Sequence, residues 1–199
     1  MFDKKTTSER LATFSDGVFA VIITIMVLDL KPPEEPTLRA LAPLWPLLLS
    51  YAVSYLFIAI IWINHHHLFR FARIATPELI WWNFAHLFMI SLVPVTTRWM
   101  AGSRLAAAPV FVYALVFVLV EIAYISFERT AFSQATEGDI PPRMRRAAKI
   151  RSYVALCIFT TAAAVSFSSP AWGLSLVCCV LLIYLSPRMP ELFHRIVRR

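Results

Sequence analysis

Charge is scarce in this 199-residue chain. Asp, Glu, Lys and Arg make up only 16% of it, hydrophobic residues reach 59%, and mean hydropathy is +0.66. A soluble domain averages about 25% charged and roughly 45–50% apolar residues, so a water-soluble globule is excluded. Cysteine is also rare. Cys157, Cys178 and Cys179 all lie in apolar runs. They lack zinc-ligand spacing and read as small buried hydrophobes. No nucleophile–base pair and no phosphate loop is present, which argues against an enzyme and against a bound cofactor. The net charge of +7 comes without a Lys/Arg stripe interleaved with exposed aromatics, so nucleic acid is not an expected partner. A cleavable signal peptide is not expected either. MFDKKTTSER is polar and the first apolar run lacks a small-residue cleavage site.

Long apolar runs fill the chain. A bilayer-spanning helix needs roughly 20 mostly apolar residues. Six such spans are predicted, at about 11–30, 44–66, 79–100, 105–127, 150–167 and 171–185. The fold class is therefore an all-α integral membrane protein, with residues 1–199 forming one six-helix transmembrane domain. The first span is entered through Thr6-x-x-Glu9, which fits a capping box, and ends at Lys31-Pro32-Pro33, where proline cannot continue a helix. Pro94 interrupts the third span, and Ser168-Ser169-Pro170 separates the fifth from the sixth.

Of the nineteen Lys and Arg residues, only Lys31, Arg39, Arg98 and Arg104 fall on one side of this arrangement. The other fifteen fall with the two termini, so the positive-inside rule places both termini in the cytoplasm. The tail Pro190–Arg199 reads as a short basic amphipathic piece at the lipid headgroups.

The first span fuses a polar cluster (Arg10, Ser15, Asp16) to a long apolar run. Charges at the entrance of a membrane span are costly and usually functional. On a wheel of about 100° per residue, Phe14, Gly17, Val21, Thr24, Ile25 and Leu28 share one stripe, apolar but for one hydroxyl, and Ser15 and Asp16 point away from it. Arg10 and Asp16 are spaced wrongly for an i,i+3 or i,i+4 pair, so their partners are expected on other helices or other subunits. The plainer reading is that the stripe only packs and the polar residues only lock helix ends.

His65-His66-His67 invites a metal reading. Adjacent helical positions diverge by about 100°, however, and do not converge on one ion. No metal site is expected there, and a polar network at the membrane edge accounts for them better than pH sensing. His86 and Glu121 lie within spans, where polar residues usually face protein. Both read as packing groups or as members of a proton path.

Arg10-x-x-x-Phe14-Ser15-Asp16 resembles the Arg-x-x-x-Phe-Ser-Asp signature of the transmembrane-protein-175 family, the bacterial and endolysosomal potassium channels. The resemblance continues through Gly17–Leu30. It recurs at Trp62-Ile63-Asn64-His65-His66-His67-Leu68-Phe69, at Trp82-Asn83 and at Ser91-Leu92-Val93-Pro94. These blocks run in the family's order over roughly the first half of the chain.

The resemblance implies a tetramer of identical subunits in a bacterial-type plasma membrane, whose first helices line a central pore with no selectivity-filter loop. The chain has only four glycines, Gly17, Gly102, Gly138 and Gly173, and nothing like a backbone-carbonyl filter. The implied pore residues are Val21, Thr24 and Leu28, with Ile25 beside them. Val21 stands where the family's narrowest ring usually has Ile or Leu, so Val21 and Leu28 are both candidates for the tightest ring. Such a ring can gate by dewetting. Potassium, the implied permeant ion, sheds water more readily than sodium. The implied anchoring network pairs Arg10, Ser15 and Asp16 with some of Trp62, Asn64, His65, His66 and Asn83, so Asp16→Ala should harm assembly more than selectivity. The expected function is a passive potassium-selective channel. The alternative is a proton-coupled transporter or a proton-permeable channel built on Glu121, His86 and the histidines.

Overall fold

The structure is a computed structural model that describes residues 4–136 and 138–185, with side chains from Ser8 to Tyr184. The helices are α1 (Lys4–Leu28), α2 (Trp45–Leu68), α3 (Pro77–Ser91), α4 (Val93–Gly102), α5 (Ala107–Ser133), α6 (Pro142–Ser166) and α7 (Pro170–Leu185), with a 3-10 segment (Leu38–Leu44) leading into α2. Five stretches are long and apolar enough to cross a bilayer: Ser8–Leu28, Leu38–Leu68, Pro77–Gly102, Ala107–Ser133 and Pro142–Ser166. A shorter apolar helix, Pro170–Tyr184, follows them. The chain is a multi-pass integral membrane protein.

Several local features differ from the expected ones. α1 is already helical at Lys4, so Thr6 is not its N-cap and the Thr6-x-x-Glu9 box lies inside the helix. The third span is two helices, broken at Leu92. Pro94 has no N–H to give to the preceding turn, which interrupts the ladder there. Start signals further along act as their chemistry dictates. Thr76 accepts a hydrogen bond from the Leu79 N–H at 3.2 Å, with Pro77 at the first helical position. Cys157 and Cys179 are exposed and Cys178 is half-buried. The expectation of burial is corrected: on an outward face that meets lipid, a small apolar thiol needs no burial. The C-terminal tail lies outside the described residues.

The core is aromatic at its centre. Phe57 of α2, Phe117 of α5 and Phe159 of α6 meet with ring centroids 4.6–6.0 Å apart. Such aromatic contacts add about 0.5–1.5 kcal/mol beyond area burial. α1 contributes Phe19, Ile22 and Met26 to the same core, none more than 5% exposed. Gly173 permits close approach of α6 and α7, since a Cβ there would lie 3.0 Å from the Ala162 carbonyl oxygen and overlap the Ser166 hydroxyl. Three hydroxyls stitch α5, α2 and α4 together within this core. The Thr97 hydroxyl donates to Val93 O at 2.7 Å and so accepts from Ser54, which in turn accepts from Tyr113, both at 2.8 Å.

The two ends of the bundle differ in charge. At one end the Ser8 hydroxyl donates to Ala72 O at 2.5 Å, joining the start of α1 to the α2–α3 loop. Arg73 in that loop reaches the α5–α6 loop, donating to Thr136 Oγ1 at 2.8 Å and to Asp139 at 2.6 Å. Arg70, Arg73, Arg129, Arg143, Arg145, Arg146 and Lys149 therefore cluster at one end. The other end carries an exposed pair between Arg98 and Asp29 at 3.0 Å.

Candidate functional site

α1 has two chemically distinct faces, and tertiary packing uses only one. It packs chiefly against α2, α3 and α4. Ser15, Phe19, Ile22 and Met26 form the buried side. Phe14, Gly17, Val21, Thr24, Ile25 and Leu28 are all exposed, with Val21 54% and Leu28 77% accessible. Within one subunit Val21, Thr24, Ile25 and Leu28 stay exposed. The Thr24 hydroxyl donates to its own helix at Val21 O, 2.9 Å away. With its proton committed inward, the oxygen presents lone pairs to whatever lies along the stripe. Phe14 marks the polar end and packs edge-on against Phe84 of α3, centroids 5.5 Å apart.

The polar residues at the start of α1 resolve into two separate contacts. The first is fully buried. Asn83 of α3, 0% exposed, donates through Nδ2 to Ser15 Oγ at 3.0 Å, and its Oδ1 lies 2.7 Å from His65 Nε2 of α2. Ser15 also donates to Leu11 O at 2.9 Å. A consistent direction runs His65 Nε2–H to Asn83 Oδ1, Asn83 Nδ2–H to Ser15 Oγ, and Ser15 O–H to Leu11 O. Each link in that chain pairs one donor with one acceptor, and three helices are tied at one point. The His65 ring is sandwiched by aromatics, with His86 at 5.7 Å, Phe127 at 5.2 Å, Phe69 at 5.0 Å and Phe19 at 5.2 Å between centroids. The second contact sits near the surface, where Trp62 Nε1–H donates to Asp16 at 2.8 Å.

The remaining residues of the expected network stand apart. Arg10 is exposed and, among the described residues, has no hydrogen-bond or ion-pair partner. Asn64 donates only to Ile60 O of its own helix, at 2.9 Å. His66 is exposed and touches the Trp62 ring, centroids 5.3 Å apart. The three adjacent histidines point to different surroundings, and among the described residues no group of His, Cys, Asp and Glu is arranged to hold a metal.

Sequence reasoning found Glu121 and His86 but not their surroundings. Both line a cavity of about 30 Å³ between α2, α3, α5, α6 and α7. His86 Nδ1 contacts Val120 O at 3.2 Å, while His86 Nε2 and Glu121 Oε1 have no partner. The space is enough for one or two waters to bridge them. The Ser54–Thr97–Tyr113 relay was not found in the sequence. Its local signal is Ser50 and Ser54, one helical turn apart in the mainly apolar first half of α2.

Comparison with known proteins gives the same outline. A family model described as the endosomal/lysosomal potassium channel TMEM175 matches residues 10–94, the part of the chain that carries the stripe and both polar contacts. A potassium channel of Chryseobacterium sp. (strain P1-3) is 36% identical over 183 residues, covering 91% of this chain and 94% of that protein. The endosomal/lysosomal proton channel TMEM175 of Rattus norvegicus is 29% identical over 101 residues, only 20% of its length. The crystal structure of a lysosomal potassium-selective channel TMEM175 homolog from Chamaesiphon minutus superposes with a TM-score of 0.79 at 24% identity, covering 90% of this chain and 96% of that one. Shared helices, the polar start of α1 and near full-length similarity to a bacterial relative have one consequence: the chain belongs to the TMEM175 family.

Proposed function

We propose that this protein is a passive potassium-selective channel, in which four copies of α1 surround a central path and the stripe Val21, Thr24, Ile25 and Leu28 faces the ion. The observation that carries the reading is the asymmetry of α1. Its polar and bulky inner face is held by three neighbouring helices, and its outer stripe is exposed from Val21 to Leu28. That stripe has the chemistry of a filterless pore. Branched aliphatic rings dewet a narrow path, and Thr24 supplies hydroxyl oxygens between them with lone pairs turned outward. A weakly hydrated cation loses less on entering such a ring than a strongly hydrated one, which favours potassium over sodium. The relatives' names supply the ion. No metal or cofactor takes part, and potassium is the permeant. With the basic end in the cytoplasm, both termini face inward in a bacterial-type plasma membrane.

A second reading, a proton-permeable channel or proton-coupled transporter, is favoured by one feature: the unpartnered Glu121 and His86 atoms around the water-sized cavity. One experiment separates the two. Purified protein in liposomes is given opposed potassium and sodium gradients, with and without a proton gradient. The channel reading expects fast electrogenic potassium flux that needs no proton gradient. In a cysteine-free background, Leu28→Cys should also cross-link subunits to one another. Flux that requires a proton gradient would favour the second reading, and absence of inter-subunit cross-links would remove the pore from α1.

A further inference from the structure

A second cavity, of about 220 Å³, opens between α5 and α6 at the basic end of the bundle, well away from the α1 stripe. Glu128, Arg129, Arg145, Lys149, Ser152 and Tyr153 are among its lining residues. Three cations face one carboxylate. Among the described residues none of the three cations has a carboxylate within ion-pair distance. Arg129 donates to the Tyr153 hydroxyl. Arg145 donates to Phe132 O at 2.8 Å, with its guanidinium 5.8 Å from the Phe132 ring. Each guanidinium carries five N–H groups, so these contacts position the forks and leave most donors free. Lys149 is exposed. At the floor, Ser152 is 1% exposed and its hydroxyl has no partner. Three cations against one carboxylate, over an unpartnered hydroxyl, suit a phosphate group, whose oxygens take a forked pair of N–H donors and an ammonium at once. The volume falls below the roughly 300–1,000 Å³ of a drug-sized ligand site, which suits a headgroup rather than a whole nucleotide.

The surface beside the cavity indicates where the phosphate comes from. About two turns deeper on the face of Arg129 lies Ile122, 45% exposed. About one turn deeper on the face of Tyr153 lies Cys157, also exposed. A polar pocket at the charged end thus continues into an apolar lane toward the middle of the membrane, as a phosphate joined to acyl chains would need. We propose that the α5–α6 cavity of each subunit binds the phosphate headgroup of an anionic phospholipid, with its acyl chains along the Ile122 and Cys157 faces. α6 packs chiefly against α5 and α7, so the lipid and the ion path occupy different parts of the subunit and fail independently.

The test uses the full-length protein in detergent, with phosphatidylglycerol and phosphatidylcholine titrated separately and bound lipid counted by native mass spectrometry. Phosphatidylglycerol should bind saturably, in preference to phosphatidylcholine. The pair Lys149→Gln with Arg129→Gln should weaken it about 30-fold, at roughly fivefold per cation. The pair Arg143→Gln with Arg146→Gln, at the same end but outside the cavity, should leave it unchanged. All four side chains are exposed, so both variants should melt as the wild type does. Ser152→Ala should weaken the lipid about fivefold, and a melt of the lipid-free variant separates that loss from any change in stability. Equal weakening by the two arginine and lysine pairs would overturn the proposal, since a diffuse basic surface would then suffice. So would equal retention of phosphatidylcholine. Displacement of the lipid by millimolar inorganic phosphate would overturn the lipid assignment in favour of a free phosphate.

Discussion

Asn83→Ala should be the most damaging single change at the start of α1, even though Asn83 carries no charge and touches no pore residue. The substitution removes the bond to Ser15 at 3.0 Å and the contact to His65 at 2.7 Å. Ser15 keeps its bond to Leu11 O and loses little. His65 is left at 0% exposure with no partner on either nitrogen, since its Nδ1 has none already. Hydrogen bonds between membrane helices average about 0.6 kcal/mol, and an orphaned buried donor adds about 1–3 kcal/mol. The total is about 2–4 kcal/mol, or roughly 30- to 1,000-fold in the folded-to-unfolded ratio. Trp62→Phe makes the comparison. It removes the donor to Asp16, but Trp62 is 37% exposed and water can replace it, so about 1 kcal/mol or less is expected. Equilibrium unfolding in mixed micelles, followed by tryptophan fluorescence, measures both. A double-mutant cycle with His65→Leu isolates the coupling, expected at about 1–2 kcal/mol because the leucine leaves no orphaned donor. The reasoning fails if Asn83→Ala unfolds within about 0.5 kcal/mol of wild type, or if the cycle is additive.

Within the hydroxyl relay, Thr97→Val should cost more than Tyr113→Phe, at about 1–3 against about 1 kcal/mol. The first orphans the Ser54 donor and the second removes only a bond that Ser54 accepts, and thermal melts of the two variants give the order. Thr24→Ala should lower the potassium-over-sodium permeability ratio while leaving the oligomer intact; unchanged reversal potentials would count against a hydroxyl ring. In the α5–α6 loop, the Thr136 hydroxyl and N–H, together with Arg73, hold the Asp139 carboxyl below its ordinary range. A depressed carboxyl stabilises the loop above the ordinary value of about 3.9 and loses that contribution as pH falls through its lower native value. Hydrogen exchange at Thr136, corrected for intrinsic rate, should therefore accelerate only below about pH 4.

Much of the arrangement was legible because it depends on local chemistry. Apolar run length dictates spans, since each backbone polar group in lipid must be satisfied within a helix. The α1 stripe is grouped by the helical period alone; in the structure its residues are exposed, as are Thr13, Ala20 and Val27 beside it. The family signature at Arg10–Asp16 is also a local string. The pairing of polar residues was not legible in the same way. The sequence offers Trp62, Asn64, His65, His66 and Asn83 as equal candidates, yet only Asn83 bonds Ser15, with His65 behind it, and only Trp62 bonds Asp16, while Arg10 stays apart. Which of them meet depends on the crossing angle and axial register of α1, α2 and α3, and these depend on how large side chains from separate helices pack, such as Phe19 of α1 and Phe127 of α5 against the His65 ring.

What the sequence by itself determined is a membrane-embedded helical chain with a one-sided first helix, because hydropathy and helical periodicity act residue by residue. What only the tertiary structure decided is which polar groups meet: the Asn83 junction, the Ser54–Thr97–Tyr113 relay, and the cationic cavity between α5 and α6. These depend on distances between side chains remote in the chain, and helix packing sets those distances.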